Sequence, residues 1–356
     1  MRDETLTQNT PNEPSPTDPA TTQEETPAPK KKRHILPYFC LATVLLTFVA
    51  GCLFFVALFT PGPAQETKIV IIPRGSNIQQ ITERLDSNDL LVNKWLFRLS
   101  ARLMAKDQIK AGEYEFPVGM NVLDLTKKLR DGKCVTRQVT VPEGMTSHEV
   151  VFLLQSIPVL TGEITQTPAE GAVQPETYHY SYGDERSAVL ARMTKNRTSQ
   201  LQDMWDKRDP SLLLKTPQEA LILASIVEKE TGFKAEERAR VASVFLNRLK
   251  IGMPLQSDPT VIYALTNGQQ SLGRSLLRRD LMIESPINTY QNAGLPPQPI
   301  CNPGKAAIEA VLHPEKTDFL YFVADGTGGH AFAKSLSDHN DNVARWIRAR
   351  KAANMP

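Results

Sequence analysis

The chain has 356 residues, of which 41% are hydrophobic and 22% are charged, and its formal net charge is +2. This length suggests two or three domains of about 150 residues each, and the composition is that of a folded globular protein. A net charge near zero, without a long basic stripe that alternates with aromatic residues, argues against a nucleic-acid-binding protein.

The four cysteines are isolated in the sequence, with no C-x-x-C pair and no paired histidines beside them. Zinc sites usually show such closely spaced ligands, so we predict no metal and no cofactor. A disulfide between Cys134 and Cys301 is the alternative for two of these residues.

Residues 1–34 are polar and rich in proline and threonine, and they end in the basic cluster 30–34. Such a segment cannot bury enough apolar surface to fold, so we predict a disordered cytoplasmic tail. The next stretch, 35–60, is apolar, uncharged and long enough to cross a hydrocarbon core of about 30 Å. Because the basic cluster precedes this transmembrane helix, the positive-inside rule places the remaining chain outside the cytoplasm.

Two alternatives compete with a retained membrane anchor. A cleaved signal peptide has an apolar region of only about 7–15 residues, which is shorter than this one. The residues from Val49 to Cys52 resemble a bacterial lipoprotein cleavage box, with Cys52 as the lipidated residue. The apolar run continues past Cys52, however, and its length favours the anchor.

One pattern recurs three times between residues 67 and 155: an apolar strand, a Pro-x-Gly turn, a polar cap and an amphipathic helix. The turns begin at Pro73, Pro117 and Pro142, and the predicted caps are Ser76 or Asn77, then Asn121, then Thr146 or Ser147. We therefore predict a small α/β region at 67–155. A loop rich in Gly, Thr and Pro then leads into a second domain, predicted at 156–356.

The most informative stretch begins with a helix that is apolar nearly all round, from Leu221 to Val227, and ends in Glu228, Lys229 and Glu230. Thr216 is its predicted N-cap. A helix of this kind is normally buried, and carboxylates at a buried end are costly unless they are paired or used. This conflict marks a candidate active site.

The two glutamates point about 200° apart on the helix, so they cannot easily share a pocket. The larger apolar neighbours lie on the side of Glu230, which predicts a desolvated carboxyl group with a raised pKa, as a general acid requires. The alternative is a structural glutamate at the helix end, paired with Lys229, Arg238 or Arg248.

A polar loop after the next predicted helix offers Gln256, Ser257 and Asp258, whose side chains suit sugar hydroxyls and amides. Loops on a rigid scaffold commonly carry binding groups. The alternative is that Ser257 or Asp258 caps the helix that starts near Pro259. His330, at the start of a predicted strand, is interpreted as structural, since lone histidines in such positions usually are.

Several of these stretches, taken in order, resemble the endolytic murein transglycosylases, the YceG-like family. The resemblance extends from about residue 67 to the C-terminus. The residues that carry it are Ala224-Ser225-Ile226-Val227-Glu228-Lys229-Glu230-Thr231, Asn247-Arg248-Leu249, Leu255-Gln256-Ser257-Asp258-Pro259, Asn288-Thr289-Tyr290, Gly294-Leu295-Pro296-Pro297 and Gly328-Gly329-His330.

The resemblance implies an α+β protein with a single transmembrane helix, a small LysM-like α/β subdomain at 67–155 and a mixed α/β catalytic domain at 156–356. The active site is expected at the buried helix end. In that family the catalytic acid is the glutamate directly before the threonine, which is Glu230 here. The implied activity is that of a bacterial inner-membrane lyase, which cleaves the MurNAc–GlcNAc bond of nascent peptidoglycan, leaves 1,6-anhydro-MurNAc ends and terminates strand elongation.

We further expect substrate contacts from Gln256, Ser257, Asp258, Asn288 and Tyr290, with Asp258 as the best candidate for a second acid. The expected partners are peptidoglycan strands, the membrane and peptidoglycan synthases, but not nucleic acid. The alternative function is a non-catalytic glycan-binding or scaffold protein of the cell-wall machinery. The LysM-like region would either hold glycan strands or act as a spacer.

Overall fold

A computed structural model describes residues 36–106, 108–231 and 235–352. The chain forms two compact units, one ending at Val56 and the other starting at Ala57. The predicted tail at 1–34 lies outside the described residues. Helices and short two-stranded antiparallel sheets together confirm the predicted mixture of α and β structure.

The first helix, α1, spans Leu36–Phe59 and contains no charged residue. Its 24 residues extend about 36 Å, which exceeds a hydrocarbon core of about 30 Å. The side chains between Phe39 and Phe59 are not buried by the protein. The predicted helix at 35–60 is thus confirmed as one that is long and apolar enough to span a membrane.

The first two Pro-x-Gly turns each join a strand to a helix, and the two strands pair in one antiparallel sheet. The elements are β1 (Lys68–Ile72), α2 (Ile78–Asp86), α3 (Lys94–Ser100), β2 (Gly112–Phe116) and α4 (Val122–Asp131). One turn of π-helix, Ala101–Ala105, continues α3. β1 and β2 are in register from Lys68 opposite Phe116 to Ile72 opposite Gly112.

Local chemistry explains these strand–turn–helix units. Asn77 and Asn121 cap α2 and α4 by accepting the N–H of the third helical residue, as the sequence predicts. Gly75 and Gly119 have φ angles of +78° and +70°, which only glycine adopts without cost. A shared core of buried side chains closes over the sheet: Leu85, Phe97, Tyr114, Phe116, Leu125 and Leu129.

The third Pro-x-Gly turn belongs to a different hydrophobic core. It joins β3 (Thr136–Thr140) to α5 (Ser147–Gln155), and β3 pairs with β4 (Thr177–Ser181), which is followed by α6 (Arg186–Trp205). Side chains of all four elements are buried together, among them Val139, Leu154, Tyr178 and Met193. The predicted domain boundary at 155 falls at the end of α5. The same hydrophobic core contains side chains of α5 and of β4, which lie on either side of that boundary.

The predicted central helix is α7, Pro217–Glu230, and its burial is confirmed, since every side chain from Ala220 to Glu228 is buried. Thr216 caps it by accepting the Glu219 N–H at 3.1 Å. The Glu219 carboxylate accepts the N–H of Lys215 at 2.6 Å, so a second donor beside the helix start is also satisfied.

The remaining elements follow α7 along the chain. They are α8 (Arg238–Lys250), α9 (Asp258–Thr266), α10 (Lys305–Leu312), β5 (Tyr321–Ala324), β6 (His330–Ala333) and α11 (Leu336–Ala352). Short 3₁₀ turns occupy Ala235–Glu237 and Asp280–Met282. All four cysteines lie in the described ranges and are free.

The third Pro-x-Gly turn is joined to the segment before α10. Asn302 O accepts the Gly144 N–H at 2.9 Å, and Asn302 donates its own N–H and its side-chain amide to Met145 O at 2.8 and 3.0 Å. Lys229 Nζ, from the last turn of α7, donates to Gly144 O at 3.2 Å. These bonds connect three distant parts of the chain at the C-terminal end of α7.

Candidate active site

The two glutamates at the end of α7 make separate sets of contacts. Glu228 is only 9% exposed. Its Oε2 accepts the Gly304 N–H at 2.9 Å, and its Oε1 lies 3.4 Å from Arg238 Nη2. Gly304 directly precedes α10, so the carboxylate satisfies a donor at a helix N-terminus. Glu228 is therefore paired with Arg238, one of the partners that the sequence offered for a structural glutamate at this helix end.

Glu230 faces the loop before α9 and is half-buried. Ser257 Oγ donates a hydrogen bond to Glu230 Oε1 at 2.7 Å. Burial is the largest influence on this carboxyl group and raises its pKa. The Ser257 bond opposes that effect, the negative charge of Asp258 adds to it, and the nearby His330 and Arg248 side chains oppose it. A carboxyl group with a raised pKa can hold a proton nearer to neutral pH, as a general acid must.

The end of α7 directly after Glu230 is fixed by Thr231. This buried threonine donates its hydroxyl to Val227 O at 2.7 Å and its N–H to the same carbonyl at 3.1 Å. A carbonyl at the helix end is thereby satisfied without a further helical turn. The position of Glu230 at the last helical residue follows from this bond.

Ser257 occupies the N-cap position of α9 but makes no side-chain cap bond. Its hydroxyl donates to the Glu230 carboxyl group instead, and the residue is only 1% exposed. Its N–H donates to Thr289 Oγ1 at 3.0 Å, and that oxygen lies 2.9 Å from Thr260 Oγ1. Two buried threonines thus fix the backbone that aims the serine hydroxyl at Glu230.

Gln256 is exposed and has a φ angle of +51°, in the left-handed region. For a residue other than glycine this conformation costs about 1 kcal/mol. Its N–H donates to Thr289 O at 3.1 Å, which helps to hold the strained backbone. Strain of this kind is common at binding and catalytic sites, where it presents a side chain in a fixed direction.

Asp258 and Tyr290 form a hydrogen-bonded pair beside Glu230. Tyr290 donates its hydroxyl to Asp258 Oδ1 at 2.6 Å. Burial is the first cause of a raised pKa at Tyr290, and the bond to Asp258 is the second. Asp258 itself is exposed, so this carboxylate faces solvent while Glu230 is half-buried. Two carboxyl groups in such different environments are suited to different roles.

Asn288 is 0% exposed. Its side-chain amide donates to the carbonyls of Leu281 and Ile283 at 3.0 and 2.9 Å, and its Oδ1 accepts the Tyr290 N–H at 2.9 Å. The structure therefore brings Ser257, Asp258 and Tyr290 to Glu230, but it places the Asn288 side chain inside its own loop. In this arrangement Asn288 shapes the loop that presents Tyr290.

Several residues of the site were not among the predicted site residues. Besides the two threonines, Arg248 links the end of α8 to this region by donating to Leu255 O at 2.6 Å and to Leu320 O at 2.7 Å. His330 Nδ1 lies 2.7 Å from Glu237 Oε2. The quoted motifs contain Arg248 and His330, but their sequence does not show that they converge on Glu230.

The polar groups around the half-buried acid Glu230 are thus one exposed acid, hydroxyls, the Arg248 guanidinium and the His330 imidazole. Within residues 36–106, 108–231 and 235–352, no group of three or more His, Cys, Asp or Glu side chains is placed to hold a metal ion. This arrangement can support proton transfer from and to Glu230, next to the exposed carboxylate of Asp258.

Comparison with known proteins identifies the family of this chain. The sequence profile of the YceG-like family matches residues 70–345. An endolytic murein transglycosylase of Bacillus subtilis (strain 168) is 32% identical, and the match covers 81% of this chain and 87% of the relative. One of Streptococcus pneumoniae serotype 2 (strain D39) is 30% identical, over 78% of this chain and 58% of the relative.

A solved structure of a yceG-like protein also resembles this chain. A yceG-like protein of Listeria monocytogenes matches with a TM-score of 0.50 and 30% sequence identity, covering 78% of this chain and 99% of that chain. The prediction of a lytic transglycosylase is therefore confirmed at the level of the enzyme class. More particularly, the chain belongs to the YceG-like family, as the sequence motifs indicated.

Proposed function

We propose that this chain is a single-pass, membrane-anchored endolytic transglycosylase that cleaves the MurNAc–GlcNAc bond of nascent peptidoglycan. The names of its relatives support the substrate, and α1 supports the anchor. The basic cluster at 30–34 precedes α1, which favours a cytoplasmic N-terminus and an extracytoplasmic catalytic domain at the bacterial inner membrane. In this proposal the enzyme terminates the elongation of glycan strands.

The observation that carries the proposal is the environment of Glu230. Its carboxyl group combines burial, a raised pKa and a fixed serine donor. Because Ser257 binds Oε1, we assign the transferable proton to Oε2. Glu230 gives that proton to the glycosidic oxygen as the C1–O bond of MurNAc breaks, and the GlcNAc residue leaves with a free hydroxyl group.

The second half of the reaction returns the proton. The Glu230 carboxylate removes the proton from the C6 hydroxyl of the same MurNAc, and O6 bonds to C1 to close a 1,6-anhydro ring. No water is consumed, and Glu230 ends in the protonated form in which it began. One carboxyl group therefore serves both steps, unlike in most glycosidases, which need two.

Exposed polar groups beside Glu230 are assigned to the substrate. Asp258 presents a solvent-facing carboxylate held by Tyr290, and Gln256 presents an amide from a strained backbone. We assign to Asp258 the stabilisation of the positive charge that develops at C1 as the bond breaks. Ser257 is a positioning residue, since its hydroxyl is already bonded to Glu230.

The α/β region at 67–155 is proposed to be LysM-like and to keep Glu230 close to glycan that is newly made at the membrane. A groove of about 490 Å³ on this region is lined mainly by charged residues, namely Glu115, Asp124, Lys127, Lys128, Asp131 and Lys133. Peptidoglycan synthases, which produce the strands, are the proposed protein partners.

The test is analysis of the products formed from intact glycan strands by the full chain in detergent or lipid. We expect 1,6-anhydro-MurNAc ends by mass spectrometry, and a loss of about 10²–10⁴-fold in rate for Glu230→Gln. Glu309→Gln changes an exposed glutamate on α10 and is the matched control, with unchanged rate. Reducing MurNAc ends would identify a hydrolase. Glycan that is bound but not cleaved by the unmodified chain would identify the scaffold protein instead.

A further inference from the structure

One surface of the first α/β region carries aromatic, apolar and basic side chains side by side. Residues 92–106 include four basic residues and no acidic residue. Trp95 is 62% exposed and Leu103 is 68% exposed, and Arg98 and Arg102 are exposed as well. We call these four residues the α3 surface.

The opposite side of the same helix is fixed in the core. Leu96, Phe97 and Ala101 are buried, and Ser100 Oγ lies 2.7 Å from Thr126 Oγ1 of α4. The helix is therefore amphipathic, and its exposed side is a rigid surface of the fold. A basic and aromatic helix surface of this composition is typical of helices that lie in a membrane interface.

A short stretch of chain joins the end of α1 to the region that carries this surface. Gly62 follows Phe59, the last residue of α1, by three residues. A Cβ atom at Gly62 would lie 2.8 Å from Met120 O and 3.1 Å from Leu90 O, so the chain leaving α1 lies directly against this region. Three residues span at most about 10 Å. Leu90 in turn precedes Asn93, the N-cap of α3, by three residues.

We propose that the α3 surface lies on the outer surface of the membrane that α1 spans. Trp95 and Leu103 occupy the interfacial zone, where tryptophan is enriched in membrane proteins, and Arg98 and Arg102 contact anionic lipid headgroups. The inference rests on the proposed anchoring by α1 and goes beyond it, because it assigns a second, non-covalent contact with lipid to the first α/β region.

The test uses the full chain in nanodiscs of phosphatidylethanolamine and phosphatidylglycerol, with lipids brominated near the headgroup as quenchers of tryptophan fluorescence. The chain has three tryptophans, Trp95, Trp205 and Trp346. We expect bromolipid to quench part of the fluorescence and Trp95→Phe to abolish that part. Trp346→Phe, which changes a half-buried tryptophan on α11, is the control and keeps the quenching.

A second set of variants leaves Trp95 in place. Leu103→Asn and the double variant Arg98→Glu/Arg102→Glu are each expected to reduce the lipid quenching at least about twofold. Replacing phosphatidylglycerol by phosphatidylcholine should reduce it similarly. The matched control is Arg278→Glu/Arg279→Glu, a charge reversal at two exposed arginines in another part of the chain.

Two failures are distinguishable. If the full chain does not enter nanodiscs, the anchor itself is wrong, and the inference is overturned with it. If the chain enters nanodiscs but the unmodified protein and Trp95→Phe are quenched equally, the inference alone is overturned. Cleavage of glycan strands by the same samples tests the enzymatic proposal separately.

Discussion

Ser257 Oγ donates a 2.7 Å hydrogen bond to Glu230 Oε1 from the position where a serine ordinarily caps its own helix. An N-cap hydroxyl usually accepts an N–H from the second or third helical residue. Here α9 receives no such bond, so the hydroxyl is available to the glutamate of another helix. The bond joins the two stretches that the sequence had singled out independently.

Replacement of Ser257 by alanine should change the pH profile of cleavage. The serine bond stabilises the charged form of Glu230 and lowers its pKa, so its removal raises that pKa further. A general acid then stays protonated to higher pH, and we expect the alkaline limit of kcat/KM to move upward. Loss of about 1–1.5 kcal/mol of positioning should also lower the rate about tenfold.

The matched control for this variant is Ser243→Ala, since Ser243 is also buried and its hydroxyl lies 2.7 Å from Thr317 Oγ1. Its pH profile should match that of the unmodified enzyme. A Ser257→Ala profile that is lower at every pH but not displaced would show that the serine does not act on the proton of Glu230.

Glu230 should also affect the pH dependence of stability. Its pKa is raised from an ordinary value near 4.5, so the folded state binds more protons than the unfolded state in the interval above that value. The free energy of unfolding therefore falls as pH rises from about 4.5 through the raised pKa. Glu230→Gln has no group to titrate and should show a smaller fall, measured as the denaturation midpoint across this range. Identical curves for the two proteins would mean that the pKa is not raised.

Glu228→Gln should impair stability rather than chemistry. The carboxylate bonds to Gly304 N–H and lies 3.4 Å from Arg238, with both side chains largely buried. Loss of the charge from such a pair costs about 1–3 kcal/mol. We expect a lower denaturation midpoint but near-normal kcat in the folded protein. Asp318→Asn, in an exposed pair with Lys334, is the control and should cost less than about 0.5 kcal/mol. Abolished kcat in stably folded Glu228→Gln would reverse the roles of the two glutamates.

Asn288→Ala distinguishes two roles for Asn288, namely holding the loop in shape and contacting the substrate. The substitution removes the side-chain amide donor to Ile283 O and the acceptor of the Tyr290 N–H, whereas Leu281 O keeps its bond from Gln291 Nε2. Each buried group left unsatisfied costs about 1–3 kcal/mol, so we expect a marked loss of stability in chemical denaturation. A raised KM without any loss of stability would instead favour direct contact with glycan, which is the role predicted from the sequence.

Local sequence signals predicted much of this fold. The apolar run predicted α1. The caps Asn121 and Thr216 were predicted correctly, and Asn77 was one of the two residues predicted for α2, because a cap depends on its own helix turn. The end of α7 was also evident, since a fully apolar helix with terminal carboxylates is unusual in any context.

The parts that sequence did not predict depend on long-range pairing. Nothing in the short segment 136–140 shows that it pairs with 177–181 rather than with the earlier strands. The motif around Asn288 likewise does not show which of its side chains points inward. Thr260 and Thr289, which hold the backbone of Ser257, come from separate segments. Only the structure shows that they contact each other and fix the serine that bonds to Glu230.

The bonds between the third Pro-x-Gly turn and Asn302 have a consequence for biosynthesis. Asn302 binds Met145 across 157 residues of chain. At a synthesis rate of about 5–20 residues per second, roughly 10–30 s separate the appearance of these two partners. A nascent chain can form α7 early, but Glu228 and the adjoining turn lack their partners until Asn302 and Gly304 have been made. The C-terminal end of α7, which carries Glu230, therefore completes its contacts only after residue 304 has been synthesised.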